Sequence, residues 1–462
     1  MTAQETAICH MANGVKIGEV SSTSVVVWTR LTRHPERNTR GMQFPGDMNS
    51  QHNGGRVVHL CEMEGSVPGA MGEVRVAYWP TQEKARRNVT EWQSVRADKD
   101  FTRQIQIAGL LPGTRYSMMA EGRPPGSAGR RCAIEGGFRT APKADTPAPV
   151  RFAVVTCQEY RQRDDLKNGH RIYPVMQELD LRFFVHTGDI EYYDRPGPYA
   201  DSVERARFKW NRLYAMPYQR DFHNRTVSYF MKDDHDTLKN DCWPGQRYGS
   251  LTWEQGLALF REQVPMGQKT YRTFRWGRDL QIWMVEGRDF RSPNTMPDGP
   301  EKSIWGLQQK QWFFETVRAS DATARVLISP TPIVGPDRRN KNDNHANRGF
   351  AHEGREIREF IGKQKNMFII CGDRHWQYIS RDPQTGIREY SCGPTTESHA
   401  GGFNEKNRSP MHQYLNITGG FLSVAVDRTH GALRVVFRHH GIDGTVYNED
   451  IVHLEEETPT DP

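Results

Sequence analysis

From Val150 onward, apolar strands alternate with amphipathic helical stretches, and few architectures accommodate that alternation. Residues 151–156, 181–186, 226–231, 281–285, 325–329 and 366–370 are strand candidates. Between them, Ala206, Trp210, Leu213 and Tyr214 fall at i, i+4, i+7 and i+8. Ile357, Phe360 and Ile361 fall at i, i+3 and i+4. Both spacings mark one face of a helix. Strands and helices in alternation predict a layered α/β domain.

The chain before Val150 reads differently. Val25, Val26, Val27 and Trp28 form a β-branched and aromatic run after Ser and Thr turn residues. Val74, Val76 and Tyr78 alternate, as do Ile105 and Ile107, the period of half-buried strands. The segment from Leu111 through Pro112 and Gly113 to Tyr116 matches the tyrosine corner of fibronectin-type sandwiches. Residues 33–57, rich in Gly, Asn, Pro and charge, read as a long loop. At ~100–200 residues per domain, 462 residues predict two or three domains. The expected division is a β-sandwich at 1–140, a proline-bearing linker at 141–150 and a catalytic domain at 151–455. No internal repeat or low-complexity tract is present.

Composition removes several classes. Mean hydropathy is −0.77, and no apolar run approaches the ~20 residues of a membrane span. Lys and Arg number 62 against 56 Asp and Glu. That near balance does not suit a dedicated nucleic-acid binder with a concentrated basic face. The seven cysteines include no C-x-x-C, so zinc-ribbon and thioredoxin motifs are absent. Their odd number leaves at least one thiol unpaired, and sequence alone does not pair the others. The first ten residues lack the basic and apolar regions of a secretory signal.

The chemistry lies where strands end. One strand runs into Thr156 and Cys157. The next runs through His186 into Gly188, Asp189 and Tyr192. A third leads to Asp233, Asp234, His235 and Asp236, and a fourth to Cys371, Gly372, Asp373 and His375. In open α/β sheets the ligand site lies at the carboxyl ends of strands. Four such clusters at one sheet edge predict a metal centre. Carboxylates with an imidazole, a thiolate and a phenolate suit hard or borderline cations. A phenolate favours ferric iron, and carboxylates suit calcium, manganese or magnesium. An aspartate between two metals can bridge them, and two metals ~3.5–4 Å apart are the usual device for in-line phosphoryl hydrolysis.

Taken in order, these blocks resemble the alkaline phosphatase D branch of the calcineurin-like metallophosphoesterases. The blocks are Cys157, the Gly188-Asp189-x-x-Tyr192 run, Asp233 to Asp236, and Gly372-Asp373-x-His375-Trp376. In that branch Asp-Asp-His replaces Gly-Asn-His, and Gly-Asp-x-His replaces Gly-His-x-His. Gly14 to Leu31, Leu307 with Gln311 and Trp312, and Gly419 to Phe421 are similar to further family blocks. The likeness extends from about residue 13 to 440. It implies a calcineurin-like αββα sandwich preceded by a fibronectin-like all-β domain.

The resemblance also implies an assignment. Fe3+ would be held by Cys157, Asp189, Tyr192 and His375. A second metal, Ca2+ or else Mn2+, Mg2+ or Zn2+, would be held by Asp189, Asp234 and Asp373. A metal-bound hydroxide would attack a phosphate mono- or diester in line. His235 would serve the leaving group, and Arg288 and Arg291 would bind phosphate through guanidinium forks. The implied partner is a small-molecule phosphate ester, with no regulatory nucleic acid and no integral membrane association; oligomeric state is open. Location by family is periplasmic or secreted; with no signal in this chain, it is otherwise cytoplasmic.

Two positions depart from the family pattern. Glu286 stands where the family has Asp, and Lys232 where it has Trp. The run from Pro330 to Pro332, and on to Asp343, Asn344 and His345, is also unusual. Each piece has an ordinary explanation in isolation: a turn for Gly188-Asp189, a core thiol for Cys157, surface ion pairs for Arg288 and Arg291, a loop residue for His345. Together these explanations need four coincidences at strand ends. Two other functions fit the same sequence: hydrolysis of a phospholipid diester or sulfate ester, and a non-catalytic glycan- or partner-binding module.

Overall fold

The computed structural model describes residues 9–44, 52, 53, 56, 57, 59–338, 340–429 and 432–454. The first eight residues, most of 45–55 and the expected domain end at 455 lie outside the described residues.

Two antiparallel sheets build the N-terminal sandwich. Ser24–Arg30 pairs with both Val15–Gly18 and Thr102–Ala108. Arg115–Arg123 pairs with Gly72–Pro80 and with Cys132–Arg139. Alternation decides which side chains face inward: Val25, Val27, Val74, Val76, Ile105 and Ile107 are all buried. The tyrosine corner is present, with the Leu111 N–H donating to Tyr116 Oη at 2.9 Å. Residues 141–149 carry no helix or strand and lead into Val150–Val155.

The second unit is an αββα sandwich. One sheet has the order Ser228–Phe230, Phe183–His186, Val150–Val155, Phe421–Thr429, Ala432–His440, Val446–His453, its first three strands parallel. The other has the order Arg272–Trp276, Leu280–Met284, Ala324–Ser329, Met367–Cys371, Arg388–Cys392, Gln377–Arg381, His412–Asn416. Its parallel core runs from Leu280–Met284 to Arg388–Cys392.

The apolar runs explain the layering. Phe152, Val154, Phe183, Val185, Ile282, Val326, Ile328 and Ile370 form the core shared by the two sheets. Tyr390 stacks on Phe437 across it with ring centroids 3.9 Å apart. The intervening residues point outward. Ala153, Val155 and Phe184 pack against Ile172, Tyr173 and Phe222 of the helices Ile172–Gln177 and Pro217–His223. Trp283, Leu327 and Ile369 pack against Phe313, Ile357 and Phe360 of the helices Gly306–Arg318 and Ala351–Gly362. A strand buried on both faces needs an uninterrupted apolar sequence, which is why these six strands stood out. Two ladders are shorter than the expected runs, Phe183–His186 within 181–186 and Ser228–Phe230 within 226–231, and the other four agree to within one residue at each end.

Register brings the chemistry together. Val155 pairs with His186, and His186 with Phe230, so three strands release their following loops at one level. The second sheet meets them there. A Cβ on Gly372 would lie 2.3 Å from Thr187 Oγ1 and 2.8 Å from Thr156 Oγ1, so only glycine fits between the sheet ends. Among the described residues, no helix is long and apolar enough to cross a membrane.

Candidate metal centre

Three loops deliver the central side chains from strained backbone. Cys157, Asp189 and Asp373 have φ of 50°, 56° and 62°. Left-handed conformations cost non-glycine residues on the order of 1 kcal/mol each and gather at functional sites. The surrounding hydrogen bonds hold them. Cys157 N donates to Gly188 O at 3.2 Å, Gln158 N to Asp189 O at 2.8 Å, and Asp373 N to Thr156 Oγ1 at 3.0 Å. Asp236, fully buried, accepts from Ile190 N at 3.1 Å and from Asp233 N at 2.7 Å, tying the second loop to the third. Gly188, at φ 116°, permits that closeness: a Cβ there would lie 2.6 Å from Asp233 N.

The side chains converge. Cys157 Sγ lies 3.5 Å from Asp189 Oδ2, Tyr192 Oη 3.3 Å from the same oxygen, and Tyr192 Oη 3.4 Å from His375 Nε2. Among the described residues, three groups are close enough to hold a cation, each with its ligand atoms within 4.8 Å: Cys157, Asp189 and His375; Asp189, Asp234 and His235; Asp189, Asp233 and Asp373. Asp189 belongs to all three. Asp189 Oδ1, Asp233 Oδ2 and Asp234 Oδ1 are buried and accept no hydrogen bond among the described residues. Buried carboxylate oxygens without hydrogen bonds are costly; Arg288 offsets part of that cost at Asp234, and a cation in either aspartate group would offset it at Asp189. The donor set therefore fits metal.

Electrostatics agree. Burial, reinforced by Asp234, raises the Asp189 carboxyl well above its ordinary value. Burial opposes ionisation of Asp234 too, but Arg288, His235 and Lys341 outweigh it and hold that carboxylate ionised. Burial raises the Cys157 thiol and the Tyr192 phenol well above their usual values, and Asp189 adds to both. Such groups become anions when a cation displaces their protons. Burial lowers His375 well below its usual value, leaving the neutral imidazole that ligates metals.

His235 borders the cluster. Its Nδ1 lies 2.6 Å from Asp194 Oδ1, and its ring stacks on Tyr192 at 4.1 Å. Burial pulls its pKa down, but Asp234, Asp189 and Asp194 push it up to about 10. Arg288 and Arg291 are both buried rather than superficial. Arg288 Nε lies 2.5 Å from Asp233 Oδ1 and Nη2 3.6 Å from Asp234 Oδ1, so this guanidinium steadies the third loop. Arg291 donates to the Asp343 carbonyl and lies over the Phe350 ring. Asp373 ion-pairs with Arg374. His345 stands in none of the three groups; it is buried, and its Nε2 lies 2.9 Å from Glu353 Oε2.

Three participants were not assigned from sequence. Asp233 joins the third group, although it stood in the same acidic run as Asp234. Asp194 orients His235. His399, from the loop after Arg388–Cys392, places its ring 4.3 Å from His375 and 5.2 Å from Tyr192. A cleft of about 440 Å³ opens beside His375 and His399, lined also by Glu159, Arg161 and Arg195.

The family described as PhoD-like phosphatase matches residues 152–442, and its N-terminal domain matches residues 2–142. Alkaline phosphatase D of Bacillus subtilis (strain 168) is 21% identical over 425 residues, covering 79% of this chain and 64% of that protein. The chain thus spans just under two thirds of that relative's length. Among solved structures, PhoD superposes with a TM-score of 0.73 at 16% identity, covering 98% of this chain and 90% of PhoD. Purple acid phosphatase PPD1 from yellow lupin (Lupinus luteus) seeds superposes with a TM-score of 0.64 at 12% identity, covering 95% and 74%. At these identities the superpositions establish the fold.

Proposed function

The chain belongs to the PhoD-like phosphatase family, and from that premise we propose that it is a metal-dependent hydrolase of phosphate mono- or diesters. One observation carries the reading: Asp189 is common to three groups of ligand atoms and has a buried oxygen with no partner. A carboxylate so placed suits a bridge between two cations.

The donors divide by chemistry. Cys157, Tyr192 and His375, with Asp189, supply the thiolate, phenolate and imidazole that suit Fe3+. Asp234, Asp373 and Asp233, with Asp189, supply the oxygen ligands that suit Ca2+, with Mn2+, Mg2+ or Zn2+ as alternatives. When bound, such a pair supplies Lewis-acid neutralisation of phosphoryl charge and activation of water.

The protein's own groups do the rest. Arg288 holds Asp233 and Asp234 in place through buried ion pairs. Asp194 fixes the His235 ring through Nδ1, so the proton at Nε2 serves the reaction. Water adds to phosphorus and sheds one proton to bulk solvent, the bond from phosphorus to the ester oxygen breaks, the departing alkoxide takes the His235 proton, and solvent returns a proton to His235. No covalent enzyme intermediate is required.

The test is hydrolysis of p-nitrophenyl phosphate and bis-p-nitrophenyl phosphate by metal-loaded protein, beside Asp189→Ala. Turnover of either ester by the parent and none by the variant is expected. Equal turnover by Asp189→Ala, or none by the parent with iron and calcium supplied, contradicts the reading.

A further inference from the structure

The cleft beside the metal centre carries positive charge that the centre itself does not use. Its volume is about 440 Å³, and His375 and His399 form its inner wall. Arg161 and Arg195 stand at its exposed mouth. Arg195 is fixed through its backbone: its N–H donates to Tyr192 O at 3.2 Å, and its carbonyl accepts from Lys209 Nζ at 3.2 Å. Its guanidinium has no ion pair or hydrogen bond among the described residues. Arg161 makes a single bond, donating to Pro196 O at 3.3 Å. Glu159 is the one carboxylate lining this space, and it is almost wholly buried.

The position matters as much as the charge. Arg195 lies three residues beyond Tyr192, and His399 packs on both Tyr192 and His375. A phosphoryl group held at the cluster would extend its remaining substituent past these side chains. Two guanidinium groups with donors to spare there match a second anionic group.

We propose that Arg161 and Arg195 form a specificity subsite for phosphate esters whose non-reacting substituent carries its own negative charge, such as a carboxylate or a further phosphate. This rests on the phosphoesterase reading and adds a substrate class to it. The two arginines act on substrate selection, not on bond breaking.

Two diesters with the same leaving group test it: p-nitrophenyl carboxypropyl phosphate and p-nitrophenyl butyl phosphate. The parent should favour the charged ester in kcat/KM. In the Arg161→Ala/Arg195→Ala double variant that preference should fall about tenfold, chiefly through KM, and Arg195→Lys should restore part of it. Both positions are exposed, so the variants should fold, as an unchanged thermal midpoint would verify. Calorimetric binding of inorganic pyrophosphate, compared with inorganic phosphate, supplies a readout independent of turnover and should weaken in the double variant. A parent with no preference for charge, or a double variant with unaltered preference and pyrophosphate affinity, overturns the subsite. Absence of turnover with pyrophosphate binding that still depends on the two arginines contradicts the phosphoesterase reading and leaves the subsite standing.

Discussion

Lys232 and Glu286, the two residues that depart from the family pattern around the third loop, are bound to each other. The ammonium of Lys232 is buried against the Glu286 carboxylate, with Asp289 Oδ1 2.7 Å away. Glu286 also accepts from Arg288 N at 3.0 Å and Asp289 N at 2.7 Å. It therefore shapes the turn that carries Arg288 to Asp233.

Removing one partner should be worse than removing two. Lys232→Met leaves two buried carboxylates without their cation and should destabilise the fold by about 3–5 kcal/mol. Adding Glu286→Gln should recover part of that loss. Urea denaturation of the two single variants and the double variant measures the coupling. Strict additivity would show that the two side chains do not depend on each other.

Gly188 should tolerate no side chain. Its φ of 116° is outside the range L residues adopt comfortably, and a Cβ would meet Asp233 N at 2.6 Å. Gly188→Ala should separate the Asp189 and Asp233 loops and lower kcat/KM by about a hundredfold, with the circular dichroism spectrum retained. Activity within a few-fold of the parent would mean that this loop contact does not set the site.

Acid sensitivity should come partly from buried neutral histidines. Burial holds His170, His186 and His439 at about 3, against about 6.5 in an unfolded chain. Between those values the unfolded chain binds more protons than the folded one. Stability from these residues is therefore complete above about pH 6.5 and declines as pH falls. His439 lies far from the metal centre in sequence, its Nε2 3.0 Å from Ser391 O. His439→Gln should flatten the decline by about 1 kcal/mol per pH unit on average, read from urea midpoints between about pH 7 and pH 5. Parallel pH profiles for parent and variant would count against the assignment.

Cys9 and Cys132 should be the pair that oxidises. Their sulfurs are 3.2 Å apart, with Cys9 buried and Cys132 half-buried. A disulfide reagent should take two electrons and two protons from them, linking the start of the described chain to the Cys132–Arg139 strand. Peptide mapping without reductant should find that link, lighter by two hydrogens. A link between any other pair, or both thiols still alkylatable, would exclude it.

Much of the cluster was legible because each candidate ligand lies in the loop that follows a strand. Residues such as Phe183, Phe184 and Val185 are buried on both faces and so announce both the layer and the edge where Asp189 emerges. Asp194 and His399 carried no such mark. Asp194 meets His235 across 41 residues, and His399 enters from a loop with no periodicity. Arg288 shows a different difficulty. An arginine after a strand looks the same whether it faces substrate or turns inward, and its partner Asp233 lies 55 positions away. Spacing within a block shows which residue types gather, whereas the direction of a side chain is set by packing from remote segments.

The central claim is that Asp189 joins two cations. Metal content of the purified protein, measured after reconstitution with iron and calcium in parallel with Asp189→Ala, tests it most directly. The parent should hold both metals and the variant neither. A variant retaining both metals at the parent's stoichiometry, or a parent that binds none, would contradict the account.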